Sequence, residues 1–382
     1  MSERRVSDRF IGSVFVGCLV LLLFSLFVAP VHAQTIIVPE GGNQTIQQAV
    51  NNATSGDIIV VKDGTYNENI DVNVAYLTIR SENGSANCIV SALNTSDHVF
   101  YVNSDFVNIS GFTLTGTTGG GKAGIYLDGV NDCNISLNNA SGNFNGIYLV
   151  VSSSNNTLTD NTANSNGNYG IRLYSSSNNN ALTGNTANSN NLNGIDLYDS
   201  SDNTLTDNTA NSNVNYGIRL YSSSNNNALT GNTASNNLNG IRLYSSSNNN
   251  ALTGNTANSN NLNGIDLYDS SDNTLTDNTA NSNGYTGIYL VSSTNNTLTD
   301  NNANLNNFYG IYLDSSSNNT IYNNYFNNTI NAYDDGNNIW NTTKTAGTNI
   351  IGGPYLGGNY WSDYAGVDID ADGLGDTLLP YN

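Results

Sequence analysis

The sequence is poor in the residues that carry most metal and redox chemistry, and poor in positive charge. It contains two histidines, three cysteines, one methionine and two tryptophans in 382 residues. Ten lysines and arginines stand against thirty acidic residues, which gives a formal net charge of −20. Proteins that bind nucleic acid neutralise its phosphates with lysine and arginine, so this balance excludes a nucleic-acid partner. It suits a surface protein, or one that holds cations.

Long hydrophobic runs are absent except for one, which covers residues 11–28. Three arginines precede this run, and small residues before and at Ala33 resemble a cleavage site. The pattern predicts a signal peptide over residues 1–33. An uncleaved membrane anchor is the alternative, because the run is almost long enough to span a bilayer. Either form places the rest of the chain outside the cytoplasmic membrane, as a secreted or cell-surface protein.

Long helices are not expected, because asparagine, serine, threonine and glycine are abundant and disfavour helix interiors. Such a composition is also typical of disorder. A Gly-Ile pair nevertheless recurs every 22 to 24 residues, a register that a disordered tract does not need. A repeat of this size predicts a stacked solenoid. The glycines of these pairs are Gly124, Gly146, Gly170, Gly194, Gly217, Gly240, Gly264, Gly287 and Gly310.

Each repeat has room for three short strands joined by turns. Ile171 and Leu173 alternate with polar neighbours, and so face one side of a strand; Leu182 marks a second strand of the same coil. The sequence therefore predicts an all-β protein, a right-handed parallel β-helix with three strands in each coil of 22–24 residues. The regular coils cover residues 124–328 and follow a less regular opening over residues 34–123.

Two columns of asparagine accompany the second strand of every coil. Because amides one coil apart can bond at the strand spacing of about 4.7–4.9 Å, we expect them to hold the corners of the coils rather than to bind a ligand. The first column is Asn161, Asn185, Asn208, Asn232, Asn255, Asn278, Asn301 and Asn324; the second is Asn156, Asn180, Asn203, Asn227, Asn250, Asn273, Asn296 and Asn319.

The residues that follow Gly-Ile point outward and form a candidate carbohydrate-binding surface. A column of alternating charge is followed, two positions on, by a ladder of tyrosines. Exposed charge pairs contribute about 0–1 kcal/mol each and would mainly fix the register. The tyrosines would either contact a sugar chain or only shield the sheet. The residues are Arg172, Asp196, Arg219, Arg242 and Asp266, with Tyr174, Tyr198, Tyr221, Tyr244 and Tyr268.

No unique catalytic constellation is found, so no catalytic residue is predicted. Asp196, Asp199 and Asp202 could serve acid–base chemistry, but the same triplet returns at residues 266–272. A catalytic centre needs one constellation held in place, whereas residues 170–216 recur almost unchanged at 240–286. Repetition of this kind favours a spacer or an extended contact surface. An enzyme that acts on acidic polysaccharide remains the alternative.

The tail, residues 329–382, carries a candidate calcium loop. Three acids at alternate positions followed by glycine resemble the start of an EF-hand loop. The twelfth position is Leu379, where an EF-hand has glutamate, so the loop is closer to the short Asp-rich loops of other calcium proteins. A plain acidic turn is the alternative. The calcium ligands would be Asp368, Asp370, Asp372 and Asp376, with the carbonyl of Leu374.

Both ends of the chain resemble those of archaeal NosD-like surface proteins, which have the pectin-lyase-like β-helix fold. The features are a strand, a capping-box helix that begins after Thr45, and the IIVV and DGTY strands, together with the run NYWSDY and the Asp-rich loop. The resemblance implies a surface β-helix and an association with copper delivery. Copper prefers Cys, Met and His ligands, and beyond the signal only Cys88, Cys133 and His98 remain, so copper is not expected. A copper-handling accessory protein that uses these three residues stays the second alternative function. The two cysteines lie about two coils apart and are expected to be free, buried thiols.

These observations predict a secreted or surface-attached, non-catalytic β-helix protein with a structural, adhesive or carbohydrate-contacting role. Polysaccharide or cell-surface components are the expected partners, and calcium is the expected cofactor. A secreted location would give meaning to the many N-x-S/T sequons. These are Asn43, Asn52, Asn83, Asn94, Asn108, Asn134, Asn139, Asn155, Asn295, Asn318, Asn327 and Asn341.

Overall fold

The computed structural model describes residues 33–39 and 44–378. The signal-peptide prediction for residues 1–33 falls outside these ranges except at Ala33. Across the described ranges, no helix is long and apolar enough to cross a membrane. The one α-helix in them runs from Ile46 to Asn52, and the regular structure is otherwise β-strand.

Two long parallel sheets carry most of the strands. Sheet 1 has thirteen strands: Thr35–Val38, Ile58–Val61, Thr78–Ser81, Asn108–Ser110, Asn134–Ser136, Thr157–Thr159, Ala181–Thr183, Thr204–Thr206, Ala228–Thr230, Ala251–Thr253, Thr274–Thr276, Thr297–Thr299 and Thr320–Tyr322. Sheet 2 has twelve: Ile70–Val72, Phe100–Val102, Ala123–Asp128, Asn145–Val150, Ile171–Tyr174, Ile195–Tyr198, Tyr216–Tyr221, Asn239–Tyr244, Ile265–Tyr268, Thr286–Val291, Tyr309–Asp314 and Ile330–Asp334.

The third side of each coil is complete only near the two ends. Its N-terminal strands are Gly64–Asn67, Cys88–Ser91 and Thr113–Thr115; its C-terminal strands are Asn302–Asn304, Tyr325–Asn327 and Tyr360–Trp361. In the coils between them this side is reduced to single-residue bridges, such as that between Thr186 and Thr209. An antiparallel pair, Thr345–Ala346 with Tyr355–Leu356, lies in the tail. The prediction of a parallel β-helix is confirmed.

The interior is built from identical residues stacked one coil apart. Ile171 pairs with Ile195 and Leu173 with Leu197, and all four are fully buried. The repeated glycine is required because the coils approach closely at this point. A Cβ atom on Gly170 would lie 2.7 Å from the carbonyl oxygen of the next repeated glycine and 2.8 Å from an alanine Cβ. The Gly-Ile signature is therefore a packing requirement of the stack.

Three columns of buried asparagine run through the coils. The two predicted columns are confirmed as hydrogen-bonded ladders. The Asn185 backbone N–H and its amide Nδ2 both donate to Oδ1 of Asn208, at 2.9 and 3.0 Å. The same Nδ2 donates to the Leu158 carbonyl at 2.8 Å. A third ladder was not predicted, and comprises Asn143, Asn166, Asn190, Asn213, Asn237, Asn260, Asn283, Asn306 and Asn328.

The N-terminal end of the stack is covered by the predicted helix. Thr45 and Gln48 form the capping box, and Ile46, Ala49 and Val50 are buried beneath it. This covering keeps apolar side chains of the first coils away from water.

The C-terminal tail completes the three ladders. Asn338, Asn359 and Asn331 supply the last amide oxygens, which accept from the backbone N–H groups of the final ladder members at 2.9 to 3.0 Å. Trp361 stacks on Phe326 of the last full coil, with ring centroids 4.9 Å apart. The tail residues, which lie beyond the regular repeats, thus form the end of the same stack.

Both cysteines in the described ranges are buried and free, as expected. Burial raises the pKa of the Cys88 thiol to about 12 and that of the Cys133 thiol to about 11. Both groups are therefore protonated at neutral pH.

The ladders predict an unusually large cost for removing one internal amide. Asn208→Ala leaves the Asn185 backbone N–H and side-chain amide without their acceptor, and it also removes a bond to the Leu182 carbonyl. Each buried group left unsatisfied costs about 1–3 kcal/mol. We therefore expect the free energy of unfolding to fall by about 2–4 kcal/mol, measured by urea denaturation.

Asn191→Ala is the matched control, because Asn191 is an exposed asparagine of a neighbouring corner. Its cost should stay within about 0.5 kcal/mol, as for most surface substitutions. Equal costs for the two substitutions would contradict a structural role for the ladders.

Candidate functional site: the outer face of sheet 2

The outer face of sheet 2 carries the predicted tyrosine ladder. The rings of Tyr174, Tyr198, Tyr221, Tyr244 and Tyr268 contact one another in sequence, with successive centroid distances of 4.8, 5.1, 5.2 and 5.3 Å. The first pair is tilted, the third is stacked, and the second and fourth are edge-to-face. Parallel pairing in strict register brings each ring beside its counterpart one coil away. The rings are partly exposed, and Tyr268 at the end of the ladder is 40% exposed. They form one continuous aromatic strip.

Three arginines lie beside these rings. The guanidinium carbon of Arg172 is 4.7 Å from the centroid of Tyr174, that of Arg219 is 5.0 Å from Tyr221, and that of Arg242 is 4.7 Å from Tyr244. These distances are within the range of cation–π contacts. The arginine side chains are 17 to 21% exposed. Their positive charge is therefore held against the aromatic strip and close to solvent.

The expectation that these charge pairs are exposed is wrong for the aspartates. Asp196 is fully buried and Asp266 is 4% exposed. The Nε atoms of Arg172 and Arg219 contact the two carboxylate oxygens of Asp196, at 3.1 and 2.6 Å. The physical reason is length, since the longer arginines of both neighbouring coils close over the short aspartate. Asp196 and Asp266 thus position arginines and are not presented to a ligand.

Tyr169 and Tyr216 of this face were missed because they precede the Gly-Ile pair, whereas Tyr148 follows it. The Tyr148 hydroxyl accepts a hydrogen bond from Nη1 of Arg172 at 3.2 Å, and the Tyr216 hydroxyl accepts one from Nη1 of Arg242 at 2.7 Å. The ring of Tyr169 lies 4.4 Å from the Arg172 guanidinium. Tyr169 and Tyr216 stand directly before a repeated glycine, so alignment on that glycine could have identified them.

The predicted acidic triplets are not gathered into sites. Asp196 is buried in sheet 2, whereas Asp199 and Asp202 are exposed at the next corner with positive φ angles. Within the described part of the chain, one group of three or more acidic, histidine or cysteine side chains has ligand atoms within 4.8 Å of one another. That group lies in the tail and not on sheet 2.

The tail group consists of Asp368, Asp370 and Asp376, all exposed. Asp372, the fourth predicted acid, is instead buried and paired with Nζ of Lys344. The Leu374 backbone N–H donates to Asp372 at 2.9 Å. Three of the four predicted carboxylates thus converge, and a lysine from outside the loop holds the fourth. Leu379 lies outside the described residues, and calcium binding stays a prediction.

An unduplicated cluster lies at the N-terminal end of sheet 2. His98 is buried, and its Nδ1 accepts a hydrogen bond from the Ala123 backbone N–H at 3.1 Å. Burial lowers the pKa of His98 to about 4, so the ring is neutral at pH 7. Tyr126 packs on this ring with a centroid distance of 4.0 Å. The Tyr101 hydroxyl donates to Oδ2 of Asp128 at 2.6 Å.

The available soft ligands do not fit a copper site. Cys88 and Cys133 are protonated, as argued above, and Nδ1 of His98 is occupied by a backbone N–H. The cysteines and His98 are also absent from the one group of converging ligands found among the described residues.

None of the eleven sequon asparagines in the described ranges is buried, unlike the ladder asparagines. Asn43 lies outside those ranges. The separation shows that the two sets of asparagine occupy different environments, and that sequon side chains are accessible at the surface.

Several solved structures have folds similar to this chain. The A-module of the Azotobacter vinelandii mannuronan C-5 epimerase AlgE6 matches with a TM-score of 0.66 and 14% identity over 77% of this chain and 91% of that chain. The catalytic domain of a GH87 α-1,3-glucanase in complex with nigerose gives 0.59 and 14%, over 80% and 68%. The Dettilon tailspike protein gives 0.56 and 14%, over 74% and 66%. At these identities the likeness shows the β-helix fold alone.

Sequence comparison identifies the family. A cell surface glycoprotein of Methanothermus fervidus is 39% identical over 101 residues, which are 26% of this chain and 16% of that relative. The chain thus matches less than a fifth of that protein. The family described as periplasmic copper-binding protein (NosD) matches residues 50–233 and 219–366. Because these ranges cover most of the sequence and the fold agrees with them, the chain belongs to the NosD family.

Proposed function

We propose that the protein works at the cell surface or outside the cell, and that the outer face of sheet 2 holds polysaccharide without changing it. The observation that carries the proposal is the strip of five part-exposed tyrosines in continuous ring contact, with arginines beside them. Family membership and the surface glycoprotein relative support the location. Aromatic rings offer apolar surface to sugar rings, and their hydroxyls offer hydrogen bonds.

The charge distribution favours an acidic polysaccharide. Beyond the first nine residues, which hold three arginines, the chain has 10 − 3 = 7 lysines and arginines, and three of these seven lie on this face. The rest of the chain is strongly acidic. Arginine recognises carboxylates through its planar set of N–H donors. A uronate chain would therefore find arginine N–H donors on this face. The acidic residues on the rest of the surface would repel it.

The arrangement of acids favours holding over catalysis. Asp196 is enclosed by two arginines, and Asp199 is exposed at the corner that directly follows Tyr198. General acid–base catalysis needs a carboxyl within hydrogen-bond reach of the reacting group. The carboxylates that pair with the arginines of the central coils, Asp196 and Asp266, are buried and engaged in these pairs.

Polysaccharide modification is the second candidate function, and one observation favours it. The cluster of His98, Tyr101, Tyr126 and Asp128 occurs once, at the end of the same face. A unique set of titratable groups beside a binding surface is the arrangement that catalysis requires. The hydrogen bond to Asp128, together with burial, raises the pKa of Tyr101 to about 12, and burial raises that of Tyr126 to about 12, so both phenols are protonated donors. Product release from uronate polymers that Tyr101→Phe abolishes would establish this function.

The holding function predicts a specific effect of removing the central rings. The triple substitution Tyr198→Ser, Tyr221→Ser and Tyr244→Ser should reduce retention on immobilised polyuronate at least tenfold, because the apolar contact surface is lost. Circular dichroism should be unchanged, since the ladders and the interior are untouched.

Tyr76→Ser is the control, because Tyr76 is 54% exposed beside a strand of sheet 1. It should leave retention unchanged. Retention that is the same for the triple variant and the parent would exclude the tyrosine strip as the binding surface.

We also propose that the tail binds calcium through Asp368, Asp370 and Asp376. Oxygen ligands from carboxylates suit this ion, and the three carboxylates converge. The pairing of Asp372 with Lys344 supports a loop of lower charge and modest affinity.

Calorimetric titration with calcium should show one site fewer in Asp370→Asn than in the parent, because a converging carboxylate loses its charge. Asp202→Asn alters an exposed acid at a corner of the repeats and should preserve the parent stoichiometry. If calcium gave the same heat of binding with Asp370→Asn as with the parent, the loop would be a plain acidic turn and not a calcium site.

A further inference from the structure

Two segments of the chain form a natural comparison. Residues 170–213 and 240–283 are identical in sequence. Each contributes one buried aspartate to sheet 2, Asp196 in the first copy and Asp266 in the second. Because the residues around each aspartate in its own coil are the same, any difference between the two sites comes from the coils stacked against them.

In the first copy the carboxylate is fully paired. Arg172 from the preceding coil contacts Oδ2 at 3.1 Å, and Arg219 from the following coil contacts Oδ1 at 2.6 Å. The Asn193 side-chain amide donates to Oδ1 at 2.9 Å. Oδ1 of Asn193 in turn accepts from the Tyr216 backbone N–H at 3.3 Å. Every oxygen of the two side chains therefore has a partner.

In the second copy the following coil brings no cation. Tyr289 stands opposite Asp266, in the place that Arg219 takes opposite Asp196. Arg242 from the preceding coil remains, with its Nε 3.4 Å from Oδ2 of Asp266. Oδ1 of Asp266 has no hydrogen-bond partner. This oxygen therefore lacks the arginine and amide donors that contact Oδ1 of Asp196.

Other unpartnered atoms gather at the same place. The described residues contain six buried side-chain nitrogen and oxygen atoms without a hydrogen-bond partner. Four of the six belong to this site: Nε of Arg242, Oδ1 of Asn263, Oδ1 of Asp266 and Oγ1 of Thr286. The concentration of unpartnered atoms at one point, and their absence from the identical segment in the first copy, indicate a local property of this site and not generally poor packing.

The three orphan oxygens come from residues that the sheet places together. Counting back three residues from the Asp266–Tyr289 pair sets Thr286 opposite Asn263, and the Gly264 backbone N–H donates to the Thr286 carbonyl at 3.0 Å. The Asn263 side chain lies beside the Asp266 carboxyl. Asn263, Asp266 and Thr286 are 7%, 4% and 0% exposed.

Leaving such groups unpaired is costly. A buried polar atom without a partner is disfavoured, and a buried carboxylate without full compensation more so. Burial raises the pKa of the Asp266 carboxyl to about 6, against the effects of Arg242 and Asn263, which lower it. A carboxylate, an amide oxygen and a hydroxyl oxygen are all hard ligands, which suit sodium or calcium and not copper.

We propose that Asp266, Asn263 and Thr286 form a site for a small hard metal cation, which supplies in the second copy the positive charge that Arg219 supplies in the first. The substitution of arginine by tyrosine in the following coil opens the site, and threonine in place of Tyr216 adds a hydroxyl ligand. The cation compensates the carboxylate between two coils, and thereby supports Arg242 and the Tyr268 end of the aromatic strip. The site is separate from the acidic loop of the tail.

The test uses the full chain carrying Asp370→Asn, which removes the contribution of the tail loop. The protein is stripped with chelator in a sodium-free choline buffer, and its melting temperature is followed as sodium chloride or calcium chloride is added. Choline chloride is the control for ionic strength. A cation that binds the folded state raises the melting temperature by mass action, and we expect a rise of about 2 °C or more with at least one of the two cations.

Three further variants in the same background locate the effect. Asp266→Asn and Tyr289→Arg should each abolish the cation-dependent rise, the first by removing the charged ligand and the second by restoring the guanidinium of the first copy. Asp196→Asn alters the same residue in identical local sequence and should keep the rise. Tyr289→Arg also guards against a folding defect in Asp266→Asn, since it fills the site.

A parent protein that responds to neither cation would overturn the proposal and leave a proton or a buried water as the occupant. A rise that persists undiminished in Asp266→Asn or in Tyr289→Arg would overturn it as well, because the cation would then bind elsewhere.

Discussion

The amide ladders are the interaction on which the rest of this structure depends. Each ladder asparagine uses its side-chain oxygen to accept from the coil before it, and its backbone N–H to donate to the coil after it, as Asn185 and Asn208 illustrate. Tight corners would otherwise leave backbone groups unpaired away from water, at a cost of several kcal/mol per coil. With three ladders, each corner can turn sharply because its polar groups are satisfied by a neighbour.

This dependence explains why the coils can be copied so freely. Each coil makes its ladder hydrogen bonds to the coils on either side. A new coil therefore fits wherever its neighbours present the same asparagines, glycine and aliphatic residues. Identical segments such as 170–213 and 240–283 satisfy that need automatically. The outward residues are under no such constraint, so they can differ from coil to coil. The alternation of arginine with aspartate and the altered surroundings of Asp266 are differences of this kind.

The sequence was sufficient for the fold because its main determinants repeat or act locally. The Gly-Ile period identified the coils, and the capping box at Thr45 and Gln48 identified the helix. Two ladders were found from their fixed distance to a strand leucine. The third ladder was missed because Asn143 and its counterparts lie in the turn ahead of Gly-Ile, and asparagine is common in turns whether or not it forms a ladder.

The candidate site was less predictable, because it depends on side chains from different coils. The alternation of side chains along a strand predicts that Asp196 points away from the interior. It does not predict that Asp196 is buried, because the side chains of Arg172 and Arg219 from the neighbouring coils cover it. The tail shows the same limit. Lys344 pairs with Asp372 across 28 residues of sequence, a contact that no local pattern in the Asp-rich loop could indicate.

The most direct test of the account asks whether the outer face of sheet 2 holds an acidic polysaccharide and leaves it intact. The protein is mixed with polyuronate of known chain length, and with a neutral polysaccharide of similar length, and each mixture is followed by size-exclusion chromatography with light scattering. The account predicts that polyuronate co-elutes with the protein and is recovered at its original length and composition. Co-elution with neither polymer, or recovery of shortened, unsaturated or epimerised polyuronate, would contradict it.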